Sequence, residues 1–330
     1  MISILSEKTD ISTSYVMSWL AYLGYQTTRY NGEKRTQLAV DIDIENLNES
    51  FLSHNSQILL NQEFNSIWFR RPYNIGDDLY CTSNFDLGGI IPNDEVNQKI
   101  KDHFTSLKSF IFENYPAKKL GSYSITRLNK LDTLLKAKEV GLDIPKSIIS
   151  NSRKTVINFL KRNIEIICKP IEEGIRYVPI DEDYWISNKT ILINDERKIP
   201  RQFDVSLFQE CLDKRYELRI FYLDGVFYNS CIFSQKNEKT KVDFRNYDFD
   251  KPNRIVPYNL NGETKKKLVE LMSILKLNTG SIDLVKTKDK RTVFLEVNPV
   301  GQYDFISQNC NYNLDKKIAE YLIKPNDEQK

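Results

Sequence analysis

The sequence predicts an α/β chain whose later part is organised as α+β lobes, and three observations carry that prediction. The first thirty residues alternate apolar strand, amphipathic helix and strand. Residues 122–169 alternate helix and strand patterns that read as a small α+β lobe. The remainder is rich in hairpins, one of them marked by Asp224-Gly225 between two strongly apolar runs.

Taken in order, Ile2 to Leu5 is the first strand, Ile11 to Leu23 a helix stopped by Gly24, and Gln26 to Tyr30 the second strand. Ser66 to Pro72 reads as a buried strand that delivers Arg70 and Arg71 at its end, where open α/β sheets receive ligands. A strand-end arginine pair that only clamps two domains is an equally good reading. Asp94 to Asn114 is a long helix that closes a first domain near residue 115. A helix from Lys130 to Val140 then ends at Gly141, with Pro145 beyond it. Ser147 to Ser150, a helix over Lys154 to Lys161 and a strand over Ile164 to Lys169 complete a small lobe. Strands over Val205 to Cys211, Glu217 to Leu223 and Val226 to Phe233 follow, then a helix over Lys265 to Leu275. The tail from Lys324 to Lys330 reads as frayed. The domain expectation is 1–118, 119–206 and 207–330.

At 330 residues the chain can bury a large core divided among several units. The 47 basic and 45 acidic residues nearly cancel, so no global field points to nucleic acid or a membrane. Five scattered cysteines without a C-x-x-C pair fit a reducing cytoplasm, and two histidines make a zinc centre a poor expectation. No run approaches the ~20 apolar residues of a membrane span.

The chemistry concentrates in Gly280–Pro299, read as a hairpin. With Asp289-Lys290 as a two-residue loop, ladder pairing sets Asp283 opposite Glu296, about 5 Å apart at Cβ. Asn298 then shares their face by the period of two. Opposed carboxylates repel unless they share a hard cation, and Mg²⁺ typically takes one or two carboxylates and leaves its other positions to water and phosphates. The alternative is an exposed hairpin end kept soluble by its acids. No Walker loop or G-x-G-x-x-G turn occurs, so another scaffold must hold any phosphates. Lys169, at the end of Ile-Ile-Cys-Lys-Pro, points either toward a phosphate that offsets its desolvation or outward as a snorkelling strand-end lysine.

The order Lys130, Ile-Cys-Lys169-Pro, Phe-Gln209-Glu-Cys-Leu-Asp213, Glu217-Leu-Arg219, Asp283 and Glu296-Val-Asn298-Pro resembles the ATP-grasp carboxylate ligases. Trp68-x-Arg70-Arg71-Pro, Lys-Val-Asp243-Phe-Arg245 and Asn298-Pro-Val-Gly-Gln302 are similar, within that superfamily, to the graspetide peptide maturases of the microviridin and grasp-with-spasm type. The resemblance covers about residues 60–310; Phe244 departs from it by standing where many relatives carry tryptophan.

That resemblance implies an ATP-grasp fold with an N-terminal pre-grasp α/β domain and a nucleotide held between two α+β lobes. It implies an ATP-dependent ligase that joins Asp or Glu side chains of a ribosomally made precursor peptide to Ser/Thr hydroxyls (macrolactone) or Lys amines (macrolactam) through an acyl-phosphate. ATP and one or two Mg²⁺ are the implied cofactors. Lys130, Lys169, Gln209, Glu210, Cys211, Leu212, Asp213 and Glu217 are the implied nucleotide contacts, with Asp213 on the ribose hydroxyls. Such a transfer needs positioning and charge neutralisation more than covalent help. Arg219, which shares a strand face with Glu217, is expected to hold the activated carboxylate, a task suited to a bidentate guanidinium. Arg245 is the second choice, with Asp243 orienting it or taking a proton, although both arginines also suit plain surface salt bridges. The insertion between Glu172 and Arg201, with Tyr177, Tyr184 and Trp185, is either a leader-docking surface or a lid over ATP. A leader-bearing precursor peptide and a homodimer are the implied partners, in the cytoplasm. Two alternatives stay open: a ligase that adds free amino acids to a peptide terminus, as glutamate ligases do, and a catalytically dead peptide-binding homologue.

Overall fold

The structure is a computed structural model and describes residues 1–31, 38–54, 57–61, 63–72, 94–171, 190–236, 248 and 250–325. The strands are β1 (Ile2–Leu5), β2 (Thr27–Tyr30), β3 (Leu38–Asp41), β4 (Phe51–His54), β5 (Gln57–Leu60), β6 (Ser66–Phe69), β7 (Lys118–Leu120), β8 (Ser147–Ser150), β9 (Ile166–Lys169), β10 (Ile191–Ile193), β11 (Ser206–Glu210), β12 (Lys214–Leu223), β13 (Val226–Phe233), β14 (Arg254–Pro257), β15 (Thr279–Thr287) and β16 (Thr292–Asn298). The helices are α1 (Ile11–Tyr22), α2 (Asp94–Asn114), α3 (Lys130–Glu139), α4 (Arg153–Arg162), α5 (Gly262–Ile274), α6 (Asp304–Asn309) and α7 (Leu314–Ile323).

The chain divides into two compact units. The first holds residues 1–127, 277–280 and 302–330, the second residues 128–276 and 281–301. In the first unit a parallel sheet runs in the order β2-β1-β6-β7, and a three-stranded antiparallel sheet of β3, β4 and β5 accompanies it. Its core gathers Leu5, Leu52, Leu59, Phe69, Phe112 and Tyr115. Asp10 caps α1 by accepting the Thr13 N–H at 2.8 Å, and Gly24 follows that helix at φ +83°.

In the second unit one sheet runs β10-β9-β11-β8 and carries α4 on a core of Val156, Phe159, Ile166 and Phe208. The other runs β14-β13-β12-β15-β16. Asn129 caps α3 and Asn261 caps α5 through their side-chain oxygens. The β12–β13 turn is the expected two-residue one, with Asp224 at φ +43° and Gly225 at φ +84°.

The β15–β16 turn differs from expectation. Thr287 N donates to Arg291 O and Lys290 N to Thr287 O, so three residues, Lys288 to Lys290, form the loop rather than two. Lys290 sits at φ +74°, the left-handed position that such loops require. Asp283 nevertheless faces Glu296, because a bulge between Asp283 and Leu284 sets Leu295 out of the ladder.

Candidate functional site

Strand β15 places Asp283 opposite Glu296 and Ser281 opposite Asn298, so all four residues share one face. On the neighbouring strand β12, Arg219 donates from Nη1 to Asp283 Oδ2 at 2.8 Å. Both side chains are under a tenth exposed. Two positions earlier, Glu217 is buried, 3.2 Å from Lys214 Nζ, and accepts the Ser234 hydroxyl at 2.7 Å. Arg219 is thus engaged with the expected metal ligand. Asn298 Oδ1 accepts the Val300 N–H at 3.0 Å, which uses one of its two lone pairs and orients the amide.

Among the described residues no group of three or more His, Cys, Asp or Glu is placed to hold a metal. The metal ligands expected from the sequence, Asp283, Glu296 and Asn298, are two carboxylates and an amide. All-oxygen donors with places left for phosphate and water fit Mg²⁺ and do not fit zinc or a transition metal.

Strand β11 ends in the segment Gln209–Asp213, and its surroundings fix it closely. Gln209 Nε2 donates to Ser147 Oγ at 3.0 Å. The Glu210 N–H bonds Lys146 O at 2.9 Å, and the Cys211 N–H bonds Glu165 O at 3.0 Å. Glu210 Oε1 receives the Lys146 N–H and Arg291 Nη2. Asp213 lies beside Lys288 Nζ at 2.8 Å, with both side chains exposed. Burial, reinforced by the Glu165 carboxylate, pushes the Cys211 thiol pKa up, and burial does the same to Cys168, so neither is a reactive thiolate. Lys169 ends β9 opposite Leu207 of β11, and Lys130 opens α3, both half-buried.

Arg70 and Arg71 belong to the first unit and converge on Asp10. Arg70 Nε and Arg71 Nε lie 3.2 and 2.8 Å from Asp10 Oδ2, and Arg71 Nη1 lies 3.2 Å from Glu7. Asp10 also accepts from Ser12 and Thr13. Burial works against that carboxylate's charge, but Arg70, with Ser12, Arg71 and Thr13, holds its pKa well below the usual range. The Arg70 guanidinium lies 5.4 Å above the ring of Tyr303. Asp243, Arg245, Tyr184 and Trp185 lie outside the described residues. The residues that the sequence reading passed over include Asp10, Asp143 and Arg291, whose contacts are long-range and follow no local pattern.

No family model matches the sequence, and no curated protein matches it. Solved structures do. An ATP-grasp ligase from Chryseobacterium gregarium, RiPP-associated and in complex with ADP and a leader and core peptide, is similar over 97% of this chain and 96% of its own, at TM-score 0.78 and 20% identity. The macrocyclase MdnC of Microcystis aeruginosa, bound with precursor peptide MdnA, is similar over 98% of this chain and 99% of its own, at TM-score 0.74 and 23% identity. The chain has the ATP-grasp fold. D-alanyl-alanine synthetase A of Vibrio cholerae is similar over 99% of this chain and 95% of its own, at TM-score 0.55 and 12% identity. No described helix is long and apolar enough to cross a membrane.

Proposed function

We propose that this protein is an ATP-dependent ligase of the graspetide type, which macrocyclises a ribosomally made precursor peptide by joining Asp or Glu side chains to Ser/Thr hydroxyls or Lys amines. One observation carries the reading: Asp283, Glu296 and Asn298 share a sheet face with Arg219 bonded to Asp283, on a scaffold similar end to end to ligases solved with peptides.

Asp283, Glu296 and Asn298 would hold one or two Mg²⁺, and ATP would supply the phosphoryl group that activates a peptide carboxylate. Arg219 donates to Asp283 Oδ2 and so orients that carboxylate, as partners behind a metal ligand do. Gln209 to Asp213 present the adenine-facing backbone, and Glu217, Lys130 and Lys169 complete the nucleotide contacts. Lys130 and Lys169 bring positive charge to phosphates, where ammonium groups act as point charges. Arg70 and Arg71 brace the first unit through Asp10, and Arg245 with Asp243 would meet the acidic core peptide. Tyr184 and Trp185 would dock the leader. The protein would work in the cytoplasm as a homodimer.

Intact-mass analysis of a candidate precursor peptide, incubated with the protein, ATP and Mg²⁺, tests the proposal. ATP-dependent loss of one or more waters is expected, and mild alkali would then separate ester from amide. A mass gain that requires a free amino acid would move the assignment to a terminal ligase. An unchanged peptide in both experiments would leave binding without chemistry.

A further inference from the structure

Arg291 lies at the end of the β15–β16 loop, immediately before the strand that carries Glu296 and Asn298. Its side chain reaches away from that strand to two other segments. Nε and Nη2 donate to Asp143 Oδ2 and Oδ1 at 2.8 and 3.2 Å, a forked pairing, and Nη2 also donates to Glu210 Oε1 at 3.2 Å. Asp143 is itself tied to β16, since Phe294 N donates to its carbonyl at 2.7 Å and Val293 pairs with it in a parallel bridge. Glu210 is the first carboxylate of the Gln209–Asp213 linker, and its Oε1 also takes the Lys146 N–H at 3.0 Å. One guanidinium thus joins the metal strand, the loop after α3 and the linker. At the far end of the linker, Lys288 N donates to Asp213 O at 2.9 Å, so the same hairpin tip grips it twice.

An isolated pair at this exposure would contribute little. The Lys288–Asp213 ion pair, with both side chains about two-thirds exposed or more, is of that kind. Arg291 differs because its planar fork meets two carboxylates at once, one of them only 13% exposed. Without the guanidinium, Asp143 and Glu210 would face each other as like charges. The Asp143 fork, helped by Glu210, raises the pKa of Arg291, so the charge persists at any working pH.

We infer that Arg291 is a positioning residue that sets the linker at a fixed distance from the metal strand, so that the adenine end and the phosphate end of one nucleotide are held in matching places. The inference rests on the proposed reading of Gln209–Asp213 as the adenine linker. It assigns to the hairpin tip a role in nucleotide affinity separate from the metal ligands on the same hairpin.

Calorimetric titration of the full chain with ADP and, separately, with inorganic tripolyphosphate in the presence of Mg²⁺ tests it. Arg291→Ala should weaken ADP about tenfold, the lower range for a charge-assisted bond because Arg291 is one-third exposed. Tripolyphosphate, which has no adenosine, should change by less than about twofold, as should the turnover number at saturating ATP while KM for ATP rises in step. Arg291→Lys keeps the charge without the fork and should recover about half of the loss in free energy. Unchanged ADP affinity in Arg291→Ala, or equal weakening of ADP and tripolyphosphate, overturns the inference. Leu212→Trp, which adds bulk inside the linker, separates the two ideas. If it leaves ADP binding unchanged, the linker reading fails and the role of Arg291 with it. If it weakens ADP while Arg291→Ala does not, only the role of Arg291 fails.

Discussion

Replacing Asp283 by asparagine removes the carboxylate that receives Arg219 Nη1 at 2.8 Å, in a place where both side chains are under a tenth exposed. Breaking a buried pair from one side costs about 3–5 kcal/mol when the remaining charge is left uncompensated. Both groups keep other interactions, so about 3 kcal/mol is expected for Asp283→Asn, and the same for Arg219→Met, which preserves the packing of the stem. The double variant leaves no stranded charge and should cost about 2 kcal/mol less than the sum of the singles. Urea unfolding of the four proteins reads these numbers from the midpoints. Peptide turnover should behave differently. Each single variant should fall at least about a hundredfold, and the double variant should stay there, because a metal ligand is not restored by removing its partner. Recovery of turnover together with stability would make the pair a scaffold device and refute the metal assignment. Strict additivity of the unfolding energies would instead show that the two groups are not coupled.

Three further outcomes follow from the geometry. Asp10→Asn keeps a competent helix cap but removes the charge facing Arg70 and Arg71, and should cost about 3 kcal/mol at pH 7 in urea unfolding. Because the folded pKa of Asp10 is depressed, its contribution is complete above the unfolded value near 4 and is lost as pH falls toward the folded value. The gap between wild type and variant should therefore be flat from about pH 7 to 5 and shrink below about pH 4, and a widening gap there would contradict the assignment. Gly301→Ala would drive its Cβ into the side chain of Ser281, which faces Asn298 across the ladder, and should cost about 2 kcal/mol and most of the turnover. Adding Ser281→Gly should restore at least half of the stability, and no relief would place the strain elsewhere. Lys290→Gly at φ +74° should raise stability by about 0.5 kcal/mol in the same assay and leave turnover unchanged, since an L-residue is strained there.

Local signals in the sequence carry most of the second unit. The Ser147–Ser150 strand, the start of α3 at Lys130 and the Asp224-Gly225 turn fall where periodicity, caps and glycine put them, because each depends on residues within a few positions. The antiparallel strands β3 to β5 were not legible, since Leu38–Asp41 and Phe51–His54 are short and take their stability from pairing with each other. Nor was the return of the chain after residue 301 to the first unit: Leu314–Ile323 is an ordinary amphipathic helix by pattern, and which surface it covers is a tertiary fact. In the site, residue types and alternation place Asp283, Glu296 and Asn298 on one face, whereas the Arg219 bond to Asp283 crosses from a strand more than sixty positions away in sequence. Asp10, which meets the two arginines that follow β6 from the cap of α1, escaped notice for the same reason.

The face shared by Asp283, Glu296 and Asn298 also shows why a correct register can follow from a wrong turn. A two-residue loop at Asp289-Lys290 would pair Asp283 with Glu296 directly, but the loop has three residues and shifts the ladder by one, so that Leu284 faces Phe294. Continued without interruption, that register would set Asp283 opposite Leu295 and turn Glu296 to the other face of the sheet, because side chains alternate with a period of two. The extra residue at Leu295 cancels the shift, and from Glu296 onward the pairing sets Asp283 opposite Glu296 and Ser281 opposite Asn298. Two irregularities of opposite sense thus keep Asp283, Glu296 and Asn298 on one face while the loop gains the residue whose left-handed turn leads into Arg291. The longer loop is compatible with the carboxylate pair only because the bulge lies between them, between Leu284 and Asp283 on one strand and between Phe294 and Glu296 on the other.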